Sequence, residues 1–144
     1  MTTNKLLLVD DEVAFLEAMG RRLKKRDFTV FTATSGMEAI EILSENGDKV
    51  DVVILDVKMP GMDGIETLAE IKRKFPLIEV VMLTGHGTIA SAIDGMKQGA
   101  FDYLMKPCDM KVLVSKVGEA AEKKRKHEEK IIEARLKEIT IRRA

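Results

Sequence analysis

Hydrophobic residues along this chain form short uninterrupted runs, separated by longer stretches in which apolar and polar residues are mixed. The runs predict β-strands near residues 5–9, 28–33, 51–55, 79–83 and 101–105. Between them, apolar residues recur at spacings of three and four, which predicts amphipathic helices over 12–25, 35–46, 63–74 and 88–98. Uninterrupted apolar runs are typical of strands buried on both faces of a parallel sheet. The alternation of strands and helices therefore predicts a doubly wound α/β sandwich.

Local signals refine this prediction. The second run, which begins at Phe28, is more polar than the others, so we assign it to an edge of the sheet. Ser35 and Asp63 precede helical patterns and are predicted N-caps, because their side chains can accept hydrogen bonds from the first free N–H groups. Pro76 limits the third helix.

From Asp109 onward the pattern becomes one long helix. Its first apolar residues would dock on the sheet; they are Met110, Val112, Leu113, Val114 and Val117. Residues 122–130 are almost wholly charged, and an apolar stripe then returns with Ile131, Ile132, Leu136 and Ile139. We therefore divide the chain into a domain at 1–120 and a helical extension at 121–144. Two interpretations of the stripe stay open: a frayed tail, or a helical linker or short coiled coil that pairs with another chain or leads to a further domain.

Charge and composition narrow the class of protein. The 24 basic and 24 acidic residues cancel, with a net charge of −4 over 1–108 and +4 over 109–144. A surplus of four on a helix is mild, so we expect no direct binding of nucleic acid. The one cysteine, Cys108, cannot form an internal disulfide, and we interpret it as a packing residue. No signal segment is apparent and no apolar stretch approaches the ~20 residues that cross a bilayer, so we expect a cytoplasmic protein that does not contact membranes.

Residues that can carry out phosphate chemistry stand where the strands end. The runs stop at Asp10-Asp11, at Asp56, at Thr84 and at Lys106-Pro107. The carboxyl ends of parallel strands meet at one edge of a sheet, so these residues are predicted to share a site. Three carboxylates in one place repel one another and need a cation. Mg²⁺ suits them, since it takes one or two carboxylates and completes its shell with water and phosphate oxygens.

Each of these residues has a chemical role if the metal binds phosphate. Asp56 is the candidate nucleophile, because carboxylates form aspartyl-phosphate intermediates. Lys106 supplies a mobile positive charge and Thr84 a hydroxyl donor. A transition metal suits the site less well, since neither His86 nor His127 has a Cys or second His at ligand spacing.

Together these motifs resemble the receiver domain of a two-component response regulator, over roughly residues 4–120. The matching segments are Asp10-Asp11, Asp56 with the following Met59-Pro60-Gly61-Met62-Asp63-Gly64, Leu83-Thr84-Gly85, and Tyr103-Leu104-Met105-Lys106-Pro107. The resemblance implies a flavodoxin-like sandwich with five parallel strands in the order 2-1-3-4-5. It also implies a regulatory phosphoacceptor that catalyses only its own phosphotransfer and dephosphorylation.

The resemblance further assigns residue roles and partners. Asp56 would accept phosphate from a sensor histidine kinase or a phosphotransfer protein. Asp11, Asp56 and the backbone carbonyl of Lys58 would hold Mg²⁺, with Asp10 in support. Thr84 and Tyr103 would form a switch pair that changes the interaction surface. The peptide bond between Lys106 and Pro107 would be cis.

Segments 83–88 and 106–109 are similar to receivers of nitrogen-regulation-type transcriptional activators. We find no ATPase or DNA-binding domain of such activators in residues 1–144, so a stand-alone regulator and a part of a longer one both stay open.

Two other classes of protein use similar folds. A flavin carrier wraps phosphate in a loop rich in glycine and hydroxyls, whereas Asp10-Asp11-Glu12 would repel phosphate without a metal. A haloacid-dehalogenase-like phosphatase needs an acid two residues after its nucleophile, where this chain has Lys58. A small Mg²⁺-dependent phosphatase of another α/β family is the remaining alternative.

Overall fold

A computed structural model describes residues 4–143 as five parallel strands and five helices. The strands are β1 (Lys5–Val9), β2 (Thr29–Ala33), β3 (Val52–Leu55), β4 (Glu79–Thr84) and β5 (Asp102–Met105). The helices are α1 (Val13–Lys24), α2 (Gly36–Asn46), α3 (Gly64–Lys74), α4 (Ile89–Lys97) and α5 (Met110–Arg143). The sheet order is β2-β1-β3-β4-β5, which confirms the expected topology and the edge position of β2. The structure also contains a 3₁₀ turn at Gly47–Lys49, which the sequence did not predict. Residues 1–3 and 144, which belong to the predicted domain and extension, lie outside the described residues.

The sheet separates two apolar layers, and successive residues of a central strand point into opposite ones. In β1, Leu7 packs with α2 and α3, whereas Leu6 and Leu8 pack with α1 and α5. All three side chains are at most 1% exposed. Burial on both faces explains why β1, β3 and β4 appear in the sequence as uninterrupted apolar runs.

Both predicted N-caps are confirmed. The Ser35 hydroxyl accepts a hydrogen bond from the Glu38 N–H at 3.1 Å, and an Asp63 carboxylate oxygen accepts one from the Glu66 N–H at 2.8 Å. The cap at Asp63 begins α3 directly after the loop that follows β3. The start of α3 is thereby fixed near the carboxyl end of β3.

Gly64, the first residue of α3, lies against the backbone that follows β3. Its N–H donates to the Val57 carbonyl at 2.7 Å. A Cβ atom at this position would lie 2.0 Å from the Asp56 carbonyl oxygen and 2.6 Å from the Val57 Cα. Because both of these are backbone atoms, they cannot rotate away. Only glycine allows α3 to approach Asp56 this closely.

The last helix, α5, has a buried and an exposed portion. Its buried face includes Leu113, Val117 and Ala121, all at most 1% exposed. The helix continues without interruption to Arg143, where the sequence interpretation separated a domain at 1–120 from an extension. That division stays a prediction. Within residues 4–143, no helix has the length and apolarity required to span a bilayer.

Contacts between α5 and the amino edge of the sheet extend past residue 120. Lys123 pairs with buried Glu79 at 3.5 Å, and Lys124 pairs with Asp51 at 3.5 Å. About two turns beyond these contacts, the apolar stripe is exposed, with Ile132 and Leu136 both at 57%. The extension is therefore helical and projects its apolar side chains into solvent.

We predict that Gly64→Ala lowers the free energy of unfolding by about 1–3 kcal/mol, because the added methyl group overlaps backbone atoms. Gly118→Ala is the matched control, since nothing lies within 4 Å of a Cβ atom there. Alanine in that helical position should raise the free energy of unfolding by about 0.4–1 kcal/mol. Urea denaturation measures both. Equal stabilisation by the two substitutions would contradict the close approach at Gly64.

Candidate functional site

The predicted acidic site is present at the carboxyl edge of the sheet. Among the described residues, Asp10, Asp11 and Asp56 each place a carboxylate oxygen within 4.8 Å of the others. Asp10 and Asp56 are only 1% exposed, whereas Asp11 faces solvent. The cluster thus has two buried members and one open side, an arrangement that suits a hydrated divalent cation.

Asp56 has an incompletely satisfied side chain. One of its carboxylate oxygens, Oδ1, accepts a hydrogen bond from the Val57 N–H at 2.8 Å. The other, Oδ2, is buried and has no hydrogen-bond partner within residues 4–143. A buried carboxylate oxygen without a partner is energetically costly, so Oδ2 is able to accept a further ligand.

Asp10, by contrast, is fully engaged. Its Oδ1 accepts from the Glu12 N–H at 2.9 Å, and its Oδ2 accepts from the Lys106 ammonium at 2.5 Å. Lys106 follows β5, and its own N–H donates to the Thr84 carbonyl at 2.9 Å. The expected cis peptide bond between Lys106 and Pro107 is confirmed. One of the three aspartates is therefore neutralised by a lysine of this chain.

Thr84 and Tyr103 lie on adjacent strands and on the same face of the sheet. Tyr103 is in register with Met82, which precedes Thr84 by two residues. Thr84 is fully buried, and its hydroxyl accepts from the His86 N–H at 3.0 Å. Tyr103 is half-buried, and its hydroxyl lies 2.8 Å from the Ser91 hydroxyl.

Two residues around Tyr103 were missed by sequence reasoning. A Cβ atom at Gly87 would lie 2.7 Å from the Tyr103 hydroxyl and 2.6 Å from the Met105 sulfur, so Gly87 provides the space for the ring. Ser91 exchanges capping hydrogen bonds with Thr88 at the start of α4. The Thr88-x-x-Ser91 spacing was the available signal for that cap, but it does not indicate a contact with Tyr103.

A cleft of about 470 Å³ lies beside the cluster and is lined by Asp11, Glu12, Lys58, Met59, Pro60 and His86. Lys58 and His86 are exposed there. A Cβ atom added at Gly85 would lie 3.9 Å from the Lys106 side chain, so Gly85 borders the stem of that lysine. The cleft gives solutes access to the acidic cluster.

Two further residues flank Lys106. The Lys106 ammonium lies 3.8 Å from the centre of the Phe15 ring, a contact that sequence reasoning missed because Phe15 matched the apolar side of a helix. Cys108 is half-buried, and burial, followed by the charge of Asp109, raises the pKa of its thiol. A raised pKa reduces the thiolate fraction, which agrees with the interpretation of Cys108 as a packing residue.

The sequence model of the response regulator receiver domain matches residues 6–118. The chain belongs to this family. The receiver fold and its position in two-component signalling are therefore established, and the phosphatase alternative loses support.

Curated relatives agree with this assignment. The chain is 42% identical over 117 residues to the transcriptional regulatory protein GlrR of Escherichia coli K12, covering 81% of this chain and 26% of GlrR. It is 36% identical over 113 residues to the DNA-binding transcriptional regulator NtrC of the same strain, covering 78% of this chain and 24% of NtrC. The predicted similarity to nitrogen-regulation-type receivers is confirmed. The receiver spans about a quarter of the length of these relatives.

Solved structures share the fold. A receiver domain from Clostridium thermocellum superimposes with a TM-score of 0.81 at 40% identity, covering 85% of this chain and 97% of that one. The CheX-CheY-BeF3-Mg²⁺ complex from Borrelia burgdorferi gives a TM-score of 0.75 at 29% identity, covering 79% of this chain and 86% of that one.

Proposed function

We propose that this receiver accepts a phosphoryl group on Asp56 from a sensor histidine kinase or a phosphotransfer protein. The observation that carries the proposal is the buried, unpartnered Oδ2 of Asp56 beside two further carboxylates. This oxygen is not engaged by Lys106, which pairs with Asp10 instead. Oδ2 is thus the oxygen available to attack phosphorus.

The same residues fit Mg²⁺. Asp11 is exposed, and Oδ1 of Asp56 accepts only the Val57 N–H, which leaves it a lone pair, so each can offer a ligand atom; the backbone carbonyl of Lys58 is the proposed third ligand. Asp10 acts in support, because both of its oxygens already accept hydrogen bonds. When bound, Mg²⁺ would neutralise charge on the transferring phosphoryl group.

Phosphoryl transfer to Asp56 requires one bond to form and one to break. A lone pair of Asp56 Oδ2 forms the new bond to phosphorus, while the bond from phosphorus to the donor histidine nitrogen breaks and its electron pair stays on the nitrogen. Lys106 and Thr84 supply positive charge and a hydroxyl donor to the phosphoryl oxygens. Hydrolysis of the aspartyl phosphate at the same site would return the receiver to its resting state. We place this cycle in the cytoplasm, where histidine kinases present their phosphorylated residue.

The conformational response begins at Thr84. A phosphoryl group on Asp56 would draw the Thr84 hydroxyl from the His86 N–H, its present partner at 3.0 Å. Thr84 and Tyr103 share a face of the sheet, and Gly87 leaves space around the Tyr103 ring. Movement of that ring would change its contact with Ser91, and with it the surface of α4 and β5.

The Borrelia complex supports this scheme by its composition. That CheY is bound to BeF3 and Mg²⁺ together, a phosphate mimic and a divalent cation. Its fold matches this chain with a TM-score of 0.75.

We further propose that the extension at residues 121–144 pairs with the same segment of a second copy. Its exposed apolar residues are Ile131, Ile132, Leu136, Ile139 and Ile141. Full burial of one such side chain contributes about 1.5–3 kcal/mol, which favours a partner over solvent. Ile132, Leu136 and Ile139 follow the four-then-three spacing of a coiled-coil seam. We assign this segment no role in binding nucleic acid.

We predict that acetyl phosphate with Mg²⁺ adds one phosphoryl group, at Asp56, detectable by intact mass. The addition should disappear in Asp56→Asn and with a chelator, since both remove the proposed ligand set. Asp63→Asn is the matched control, because asparagine caps a helix as well as aspartate does. Continued labelling of Asp56→Asn would sink the assignment.

We predict that Thr84→Ala still accepts the phosphoryl group but weakens the response at Tyr103. Tyr103 is the only tyrosine and the chain has no tryptophan, so its fluorescence reports on that ring alone. Beryllofluoride with Mg²⁺ should change the emission of wild-type protein and of a Thr34→Ala control, but change Thr84→Ala less. An equal change in all three proteins would show that Thr84 is not coupled to Tyr103.

We predict that Leu136→Glu lowers the affinity between copies by at least tenfold, because it places a charge in the apolar stripe. Lys137→Glu is the matched control and should have a smaller effect. Sedimentation equilibrium at tens of micromolar protein measures the affinity of both variants. A chain that ends at Lys126 lacks the stripe but keeps the contacts with Glu79 and Asp51, and it serves as the monomer reference. Wild-type protein that remains monomeric, with and without beryllofluoride, would refute pairing.

A further inference from the structure

The ammonium of Lys106 has two neighbours of different chemistry. Asp10 Oδ2 lies 2.5 Å away, and the centre of the Phe15 ring lies 3.8 Å away. Asp10 follows β1, Phe15 belongs to α1, and Lys106 follows β5. The Lys106 side chain is only 17% exposed. Residues directly after β1 and in α1 therefore enclose Lys106, which comes from the other half of the chain.

Packing alone does not account for this position of Phe15. The ring is half-buried and contacts the apolar layer that contains Leu16 and Leu113. One face of the same ring is nevertheless directed at a cation, at a distance well inside the ~6 Å range of cation–π attraction. That attraction strengthens when water is removed, and the Lys106 side chain is largely buried. The contact is thus an electrostatic one as well as an apolar one.

We propose that Phe15 is a positioning residue, which holds the Lys106 ammonium in place for the phosphoryl group. This inference rests on the proposed phosphorylation of Asp56. Lysine has a flexible four-carbon stem, and one hydrogen bond to Asp10 leaves that stem free to swing. The Phe15 ring blocks one side of the space through which the Lys106 stem would move. The ammonium has three N–H donors, so it can satisfy Asp10 and the ring while it donates to a phosphoryl oxygen.

If the Lys106 side chain is already ordered before the phosphodonor binds, the transition state for phosphoryl transfer carries a smaller entropy cost. A lysine side chain loses substantial rotamer freedom when it becomes fixed. If the ring has already restricted the stem, less of that freedom remains to be lost during transfer. Phe15 therefore affects the rate of phosphorylation without touching the reacting atoms.

The test replaces Phe15 with phenylalanine analogues that carry one, two or three ring fluorines. Fluorine withdraws charge from the ring face while it preserves the shape of the side chain. We expect the rate of Asp56 labelling by acetyl phosphate at saturating donor to fall stepwise, to about three- to tenfold below wild type. Phe15→Leu should be slowed to a similar extent, and Phe15→Tyr should be near wild type.

Two controls isolate the contact. Phe101 lies 5.8 Å from the Lys123 ammonium on another part of the surface, so fluorination of Phe101 should leave the labelling rate unchanged. In a Lys106→Ala background, fluorination of Phe15 should have no effect, because its partner is gone. A stepwise loss that persists without Lys106 would overturn the inference.

Proton NMR of the unphosphorylated protein checks the geometry directly. The Phe15 ring current should shift the Lys106 ε-methylene protons upfield, and Phe15→Leu should abolish that shift. Absence of the shift in wild-type protein would refute the contact.

The remaining outcomes separate this inference from the proposed function. A wild type that acetyl phosphate does not label would overturn both. If the wild type is labelled normally and ring fluorination does not change the rate, the positioning role alone would be overturned, whether or not Phe15→Leu is slow. Packing would then account for the position of the ring.

Discussion

Repulsion among three carboxylates is the constraint around which this site is organised. Asp10, Asp11 and Asp56 each place a carboxylate oxygen within 4.8 Å of the others, and two of these residues are almost fully buried. Like charges this close repel one another. The chain compensates one carboxylate with Lys106 and supports another with the Val57 N–H, yet it leaves an oxygen of Asp56 unpartnered among the described residues. This local imbalance of charge is what the proposed Mg²⁺ and phosphoryl group would relieve.

The sheet makes this unfavourable cluster possible. β1 and β3 are adjacent and parallel, so their carboxyl ends bring Asp10 and Asp56 together without any long-range adjustment of loops. Strand residues at most 2% exposed on both faces resist separation of the strands. Gly64 then brings the first turn of α3 against the Asp56 backbone. The energy that holds the carboxylates together is thus stored in apolar packing remote from the charges.

Sequence reasoning found the strands because burial on both faces leaves an uninterrupted apolar run, as in residues 52–55. It found the acidic cluster because parallel strands align their carboxyl ends, which makes position along the chain a guide to position in space. The family resemblance supplied the sheet order and the cis bond. Phe15, Gly87 and Ser91 could not be found in this way. Their roles depend on side chains from elements distant in sequence, and neither periodicity nor spacing encodes the direction in which such a ring points.

The continuity of α5 has a mechanical consequence. The helix is attached to the amino edge of the sheet as far as Arg125, whose guanidinium donates to the Asn4 side-chain oxygen, and residues 126–143 extend beyond that attachment. At 1.5 Å per residue, this portion is about 27 Å long. Such a helix acts as a lever, since a small change of its angle at the sheet becomes a displacement that grows with distance along the rod. Any rearrangement of the packed layers that tilts α5 would therefore be largest at the far end of this helix.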